Sequence, residues 1–235
     1  DKPMAILVNG FSSGHHLMER VAWPMREFHR LGIGVSLFAL PFHGPRGHAF
    51  PPEWPQQDTA FTIEGFRQSI WDLQIAIRAM REAGASQVGV VGMSLGGYTA
   101  SLLATVTSDV DFLLSYIPIC SVPDVMNDND LVPGTGDIQR TLYEGYREQL
   151  VPITPVCRMP KVEPRRVSII SGAFDQLATV QHGQRLADHF GTELVTFPGG
   201  HILQNRRAQA FRTSLEGFQK AGVLPRKRWI KRSKS

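Results

Sequence analysis

Three side chains of this chain could together carry acyl-transfer chemistry: Ser94, Asp175 and His201. Ser94 stands in Gly92-Met93-Ser94-Leu95-Gly96-Gly97, a G-x-S-x-G pattern with one further glycine. An apolar run, Gln87-Val88-Gly89-Val90-Val91, precedes it, and a helix-compatible run, Tyr98 to Ala104, follows it. Strand, sharp turn and helix in that order are what a nucleophile elbow requires, with glycines where the backbone must pass its neighbours without a Cβ. A serine hydroxyl is a weak nucleophile unless a base takes its proton and an acid orients that base. His201, in Pro198-Gly199-Gly200-His201, is the expected base, and Asp175, in Gly172-Ala173-Phe174-Asp175, is the expected acid. Asp124 is the alternative acid, because it too follows an apolar run, Val110 to Cys120.

These residues need elements to hold them. Met4 to Val8 is a near-continuous apolar run, as in a strand buried on both faces. A helix is expected from about His15 to Arg30, with Leu17, Val21, Met25 and Phe28 on its core face and a kink at Pro24. A second strand is expected over Ile33 to Leu40. Ile63, Phe66, Ile70, Leu73, Ile77 and Met80 then step by three and four along one long helix, stopped by Gly84. After the elbow come strands over Val110 to Cys120, Val167 to Ser171 and Glu193 to Phe197. Helices are expected over Leu177 to Phe190 and Leu203 to Gly217. Strands alternating with helices predict a mostly parallel sheet of about six strands built from right-handed crossovers. In such a sheet reactive groups collect beyond the carboxyl ends of the strands, where Ser94, Asp175 and His201 all fall.

Two segments stand apart. Pro41 to Ala60 is a long loop dense in Pro, Gly, His and aromatics, which in a compact domain is expected to serve function. Residues 121–166 carry Asp-Asn-Asp, Pro-Gly-Thr-Gly and a run of prolines around a short helical pattern, and are expected to form a lid-like insertion. One domain over residues 1–224 accounts for the rest.

The formal net charge is +4, from 25 Lys and Arg against 21 Asp and Glu. Six of those basic residues lie in 225–235, where there is no acid, so the remainder holds 19 basic against 21 acidic residues, a net of −2. The body is therefore not basic, and no nucleic-acid partner is expected. The tail reads as a solvated, disordered end, with contact to membrane phospholipid as the alternative use of its charge. No apolar run is long enough to cross a bilayer and no signal peptide is visible, so a cytoplasmic location is expected. The chain opens on Asp1-Lys2-Pro3 without Met, as a processed or truncated start would.

Cys120 and Cys157 match no metal or redox spacing and read as buried free thiols. His15, His16, His43 and His48 lie in or near loops on the expected active side, without the helical spacing of a metal site. No metal and no cofactor is expected. His15 and His43 are expected to line the substrate site.

With the elbow, the late Asp and the late His in this order, the sequence resembles the α/β-hydrolase superfamily from Met4 to Phe218. More narrowly it is similar to the dienelactone hydrolase and acetyl-xylan esterase-like branch, through Pro41-Phe42-His43-Gly44-Pro45-Arg46 and Gly199-Gly200-His201-Ile202. The resemblance implies an α/β-hydrolase fold and a serine hydrolase acting on a small-molecule carboxylic ester through an acyl-enzyme. Amide, peptide or thioester cleavage on the same triad, or a non-catalytic binding protein, are the alternatives. It also implies an oxyanion hole from the backbone N–H groups of Leu95 and Phe11. The chain departs from the pattern in three ways. Asn9-Gly10 stands where many members have His-Gly, two strands usual before the first one here are missing, and dienelactone hydrolases proper use cysteine where Ser94 stands.

Overall fold

A computed structural model describes residues 2–48 and 50–226. Six strands form a single sheet: β1 (Pro3–Val8), β2 (Gly34–Phe38), β3 (Gln87–Met93), β4 (Phe112–Tyr116), β5 (Val167–Gly172) and β6 (Leu194–Phe197). Their order is β2-β1-β3-β4-β5-β6, and every pair is parallel. All six carboxyl ends therefore lie along one edge, and β3 sits between β1 and β4 near the middle.

Helices cover both faces. On one side α3 (Thr59–Glu82), α4 (Leu95–Val106) and α7 (Val180–Phe190) enclose a core in which Trp54, Phe66 and Tyr98 stack edge to face or tilted. On the other side α2 (Met25–Arg30) and α8 (Arg207–Lys220) enclose Phe28, Tyr116, Phe211 and Phe218. Parallel strands covered on both faces are mostly apolar, and β4 and β5 are buried at every residue, with Ser115, Ser168 and Ser171 as their polar side chains. The apolar stripe of α3 packs as its spacing predicts: Phe66, Ile70, Leu73 and Ile77 are buried and Ile63 and Met80 are partly so. Asp58 caps its start by accepting from the Phe61 N–H at 3.0 Å.

The first helical stretch differs from its expected form. It breaks at Trp23-Pro24 into α1 (His16–Ala22) and α2, because a proline inside a helix removes a donor and clashes with the preceding turn. The expected core face also fails at its first half. Phe28 is buried, but Leu17 and Val21 are 78% and 77% exposed.

The excursion at 121–166 folds as α5 (Val122–Asp128), α6 (Gly136–Leu150) and three short 3-10 turns. It is tied down at several points. Tyr98 donates its hydroxyl to the Ile153 carbonyl at 2.8 Å, and Asp124 accepts from Tyr143 of α6 at 2.9 Å and from Arg185 of α7. His182 Nδ1 accepts the Cys120 N–H at 3.2 Å, and its Nε2 faces Asp128 at 3.2 Å. Cys120 is buried as expected, and its thiol is pushed up to about 12 by burial. Cys157 corrects the expectation: it is exposed, on the outer side of a 3-10 turn, and both cysteines are free. Of the basic tail, 227–235 lies outside the described residues.

Candidate active site

The elbow is built from close approaches. Ser94 has φ 53° and ψ −113°, a conformation that side chains rarely adopt, and its N–H is anchored on the Tyr116 carbonyl at 2.9 Å. A Cβ on Gly92 would fall 2.0 Å from the Gly96 carbonyl oxygen, and one on Gly96 would fall 2.3 Å from the Val8 carbonyl oxygen. Glycine is thus required for α4 to start directly over the end of β1.

His201 and Asp175, the expected base and acid, lie on two adjacent strand ends that are zipped together. Ala173 donates to the Phe197 carbonyl at 2.9 Å and Phe174 to the Gly199 carbonyl at 3.0 Å. A Cβ on Gly172 would fall 2.5 Å from the Gly199 oxygen, so this pairing also needs glycine. His201 Nε2 lies 2.9 Å from Ser94 Oγ, and His201 Nδ1 lies 2.8 Å from Asp175 Oδ2. The other carboxylate oxygen of Asp175 accepts the N–H groups of Leu177 and Ala178 at 3.0 and 2.9 Å, which fixes the buried carboxylate in orientation. The structure brings Ser94, His201 and Asp175 into one chain of hydrogen bonds. Asp124, the alternative acid, is placed elsewhere. Burial raises its pKa, but Arg185 and Tyr143 outweigh burial and hold the carboxyl below its ordinary value.

Leu95 is the first residue of α4, where an N–H has no intrahelical acceptor. Phe11 lines the cleft beside Ser94, and no hydrogen bond from its N–H occurs among the described residues. Gly10 brings this loop against the serine: a Cβ there would sit 3.5 Å from Ser94 Cβ. Asn9 fastens this loop. Its Oδ1 accepts the Leu40 N–H at 2.8 Å and its Nδ2 donates to the Gly10 carbonyl at 2.8 Å.

Neither His15 nor His43 lines the cleft. His15 is exposed at the start of α1. His43 is fully buried between Phe11 and Trp54, with Nδ1 on the Pro41 carbonyl at 2.8 Å and Nε2 without a hydrogen-bond partner among the described residues. Burial pushes its pKa below the ordinary value, only partly offset by the Pro41 bond. It supports the Phe11 loop from beneath. Its sequence surroundings gave no sign of depth, because the loop is long and rich in turn formers. Among the described residues, no group of three or more His, Cys, Asp or Glu side chains could hold a metal ion.

Ser94 and His201 open into a cleft of about 1210 Å³. It is lined by α1, through Leu17, Met18 and Val21, and by α5, through Val122, Val125 and Met126. The α1 wall is inverted relative to a surface helix. Its acid, Glu19, is 2% exposed, while its apolar side chains face out. Glu19 is held inside by accepting the Gly14 N–H at 2.8 Å and the Trp23 Nε1–H at 2.7 Å. The sequence places Leu17 and Val21 on one face correctly but does not say what lies opposite that face.

No family model matches the chain. Two curated Mycobacterium tuberculosis proteins, from strains CDC 1551 / Oshkosh and ATCC 25618 / H37Rv, are each 27% identical to it over 224 residues, and both are described as uncharacterized. The match takes in 89% of this chain and 52% of theirs, so the chain spans about half the length of the curated relatives it matches. Among solved structures, an acetyl xylan esterase of Thermoanaerobacterium matches with TM-score 0.66 at 16% identity, over 93% of this chain and 75% of that one. A Pyrococcus furiosus esterase matches with TM-score 0.67 at 15% identity, over 94% and 82%. A puromycin-hydrolyzing peptidase of Mycobacterium tuberculosis matches with TM-score 0.61 at 18% identity, over 94% of this chain and 34% of that one. The chain has the α/β-hydrolase fold. No helix among the described residues is long and apolar enough to cross a membrane.

Proposed function

We propose that this chain is a serine hydrolase that cleaves a carboxylic ester through an acyl-enzyme, with Ser94 as nucleophile, His201 as general base and acid, and Asp175 as the orienting acid. The observation that carries this is the continuous Asp175–His201–Ser94 chain of contacts, 2.8 and 2.9 Å, ending at a serine on the floor of an open cleft. As Ser94 Oγ attacks the ester carbonyl, its proton passes to His201 Nε2. Asp175 stabilises the imidazolium from the Nδ1 side. The carbonyl oxygen gains charge and is received by the N–H groups of Leu95 and Phe11, each such donor contributing about 3 kcal/mol at the transition state. The tetrahedral species expels the alcohol, which takes the proton from His201. Water, deprotonated by the same imidazole, then releases the acid and restores Ser94.

Amide cleavage on the same groups is the second reading, favoured by the fold likeness to a puromycin-hydrolyzing peptidase. A fluorophosphonate probe followed by intact mass tests both. One adduct on the wild type and none on Ser94→Ala is the expected result. An unlabelled wild type, or a labelled Ser94→Ala, overturns the assignment.

A further inference from the structure

Resting on the ester-hydrolase reading, we infer that the acyl half of the substrate is a medium or long aliphatic chain, lying between α1 and α5, rather than an acetyl group on a carbohydrate. Size is the first reason. At about 1210 Å³ the cleft exceeds the roughly 300–1,000 Å³ that encloses a drug-sized ligand, so an acetyl group would leave both walls wet. The walls are the second. Leu17, Met18 and Val21 of α1 and Val122, Val125 and Met126 of α5 line the cleft on elements that follow β1 and β4, the strands on either side of β3, and among the described lining residues only His201 and Arg207 carry an ionisable group.

The third reason is what the polar lining groups already do. Ser13 donates to the Gly10 carbonyl, and Asn129 donates to the carbonyls of Val125 and Leu177. Gln204 donates to the His201 carbonyl, and Arg207 donates to Gln204 and to the Val21 carbonyl. Of the polar side chains lining the cleft, those of Gln56 and Gln57 are the ones left without a hydrogen bond among the described residues, so a sugar would find few free partners for its hydroxyls. An alkyl chain needs none. Glu19 fits this reading: with its carboxylate held inward on Gly14 and Trp23, Leu17, Met18 and Val21 of α1 are left to face the substrate.

Two measurements test this separately from the hydrolase reading. The first is kcat/KM for p-nitrophenyl acetate, butyrate, octanoate and dodecanoate. It should rise with chain length, by up to about fourfold per fully buried methylene. The dodecanoate-to-acetate ratio should fall at least tenfold in the Leu17→Gln/Val21→Gln double variant. Both side chains are already exposed, so melting of that variant should match the wild type. The second is displacement of a fluorescent fatty acid by palmitate from Ser94→Ala, which needs no catalysis.

If Ser94 is labelled by fluorophosphonate but acetate is the best ester, the substrate class is wrong and the hydrolase reading stands. If Ser94 is not labelled while palmitate binds and the double variant weakens it, the hydrolase reading fails and the aliphatic site stands. No palmitate binding, together with a dimer that the double variant dissociates, would make the α1 wall an interface between copies and overturn the inference.

Discussion

Replacing Glu19 by Gln tests whether the inverted α1 is held by its buried carboxylate. Glu19 accepts two N–H donors, from Gly14 at 2.8 Å and from Trp23 at 2.7 Å, in a site 2% exposed. Gln keeps the shape but offers one acceptor oxygen and one NH2 group. That NH2 must face one of the two donors, so one charge-assisted hydrogen bond is lost and a buried donor is left unpaired. Together these are expected to cost about 2–4 kcal/mol. For a chain of 235 residues that corresponds to a melting point lower by roughly 5–15 °C. Urea unfolding followed by circular dichroism measures it. Trp23→Phe removes one of the donors, so Glu19→Gln should cost at least about 1 kcal/mol less in that background than in the wild type. A Glu19→Gln variant melting within about a degree of the wild type, or two substitutions whose effects simply add, would refute the account of how α1 is turned.

Four further outcomes are expected. Ser94→Ala and His201→Ala should each lower kcat for a p-nitrophenyl ester by about 10⁴- to 10⁶-fold, with Asp175→Asn losing somewhat less, measured against protein of matched melting temperature. Gly96→Ala should cost about 3 kcal/mol or more, because its Cβ would fall 2.3 Å from backbone oxygen, whereas Gly217→Ala in α8, with nothing within 4 Å, should be neutral or stabilising; paired urea titrations decide this. His43 and His182 both have pKa values pushed below the ordinary 6.5, chiefly by burial. The unfolded chain therefore binds more protons below that value, and stability should fall as pH drops from about 7 to about 5, with a shallower fall in His43→Gln. Ellman's reagent should titrate one thiol rapidly in the folded protein, Cys157, and both in denaturant, since Cys120 is buried and its thiol is held protonated.

Much of the site was readable from local pattern. Continuous apolar runs announced strands buried on both faces, and the glycines around Ser94 announced a close crossing of α4 over β1, which the Cβ distances at Gly92 and Gly96 explain. What failed did so where a periodic face has two sides. Leu17, Val21, Met25 and Phe28 share a spacing, yet Phe28 enters the core while Leu17 and Val21 form a wall of the cleft. Pro24 separates them into two helices that need not share a neighbour. His43 departs from its expected place for a related reason. A loop rich in Pro and Gly suggests surface, but Trp54 and Phe11 close over it.

The sequence by itself determined the order Ser94, Asp175, His201, the parallel sheet, and hence the single edge on which these three must meet. That much follows because strand direction and crossover handedness leave little freedom once strands and helices alternate. Only the tertiary structure decided which acid faces the imidazole, because Asp175 and Asp124 both follow strands, and the pairing of the β5 and β6 loops selects one while Arg185 and Tyr143 engage the other. It also decided that α1 turns its apolar side to the cleft. Nothing local to seven residues records that the backbone N–H of Gly14 and the indole of Trp23 converge on one carboxylate and hold it inside.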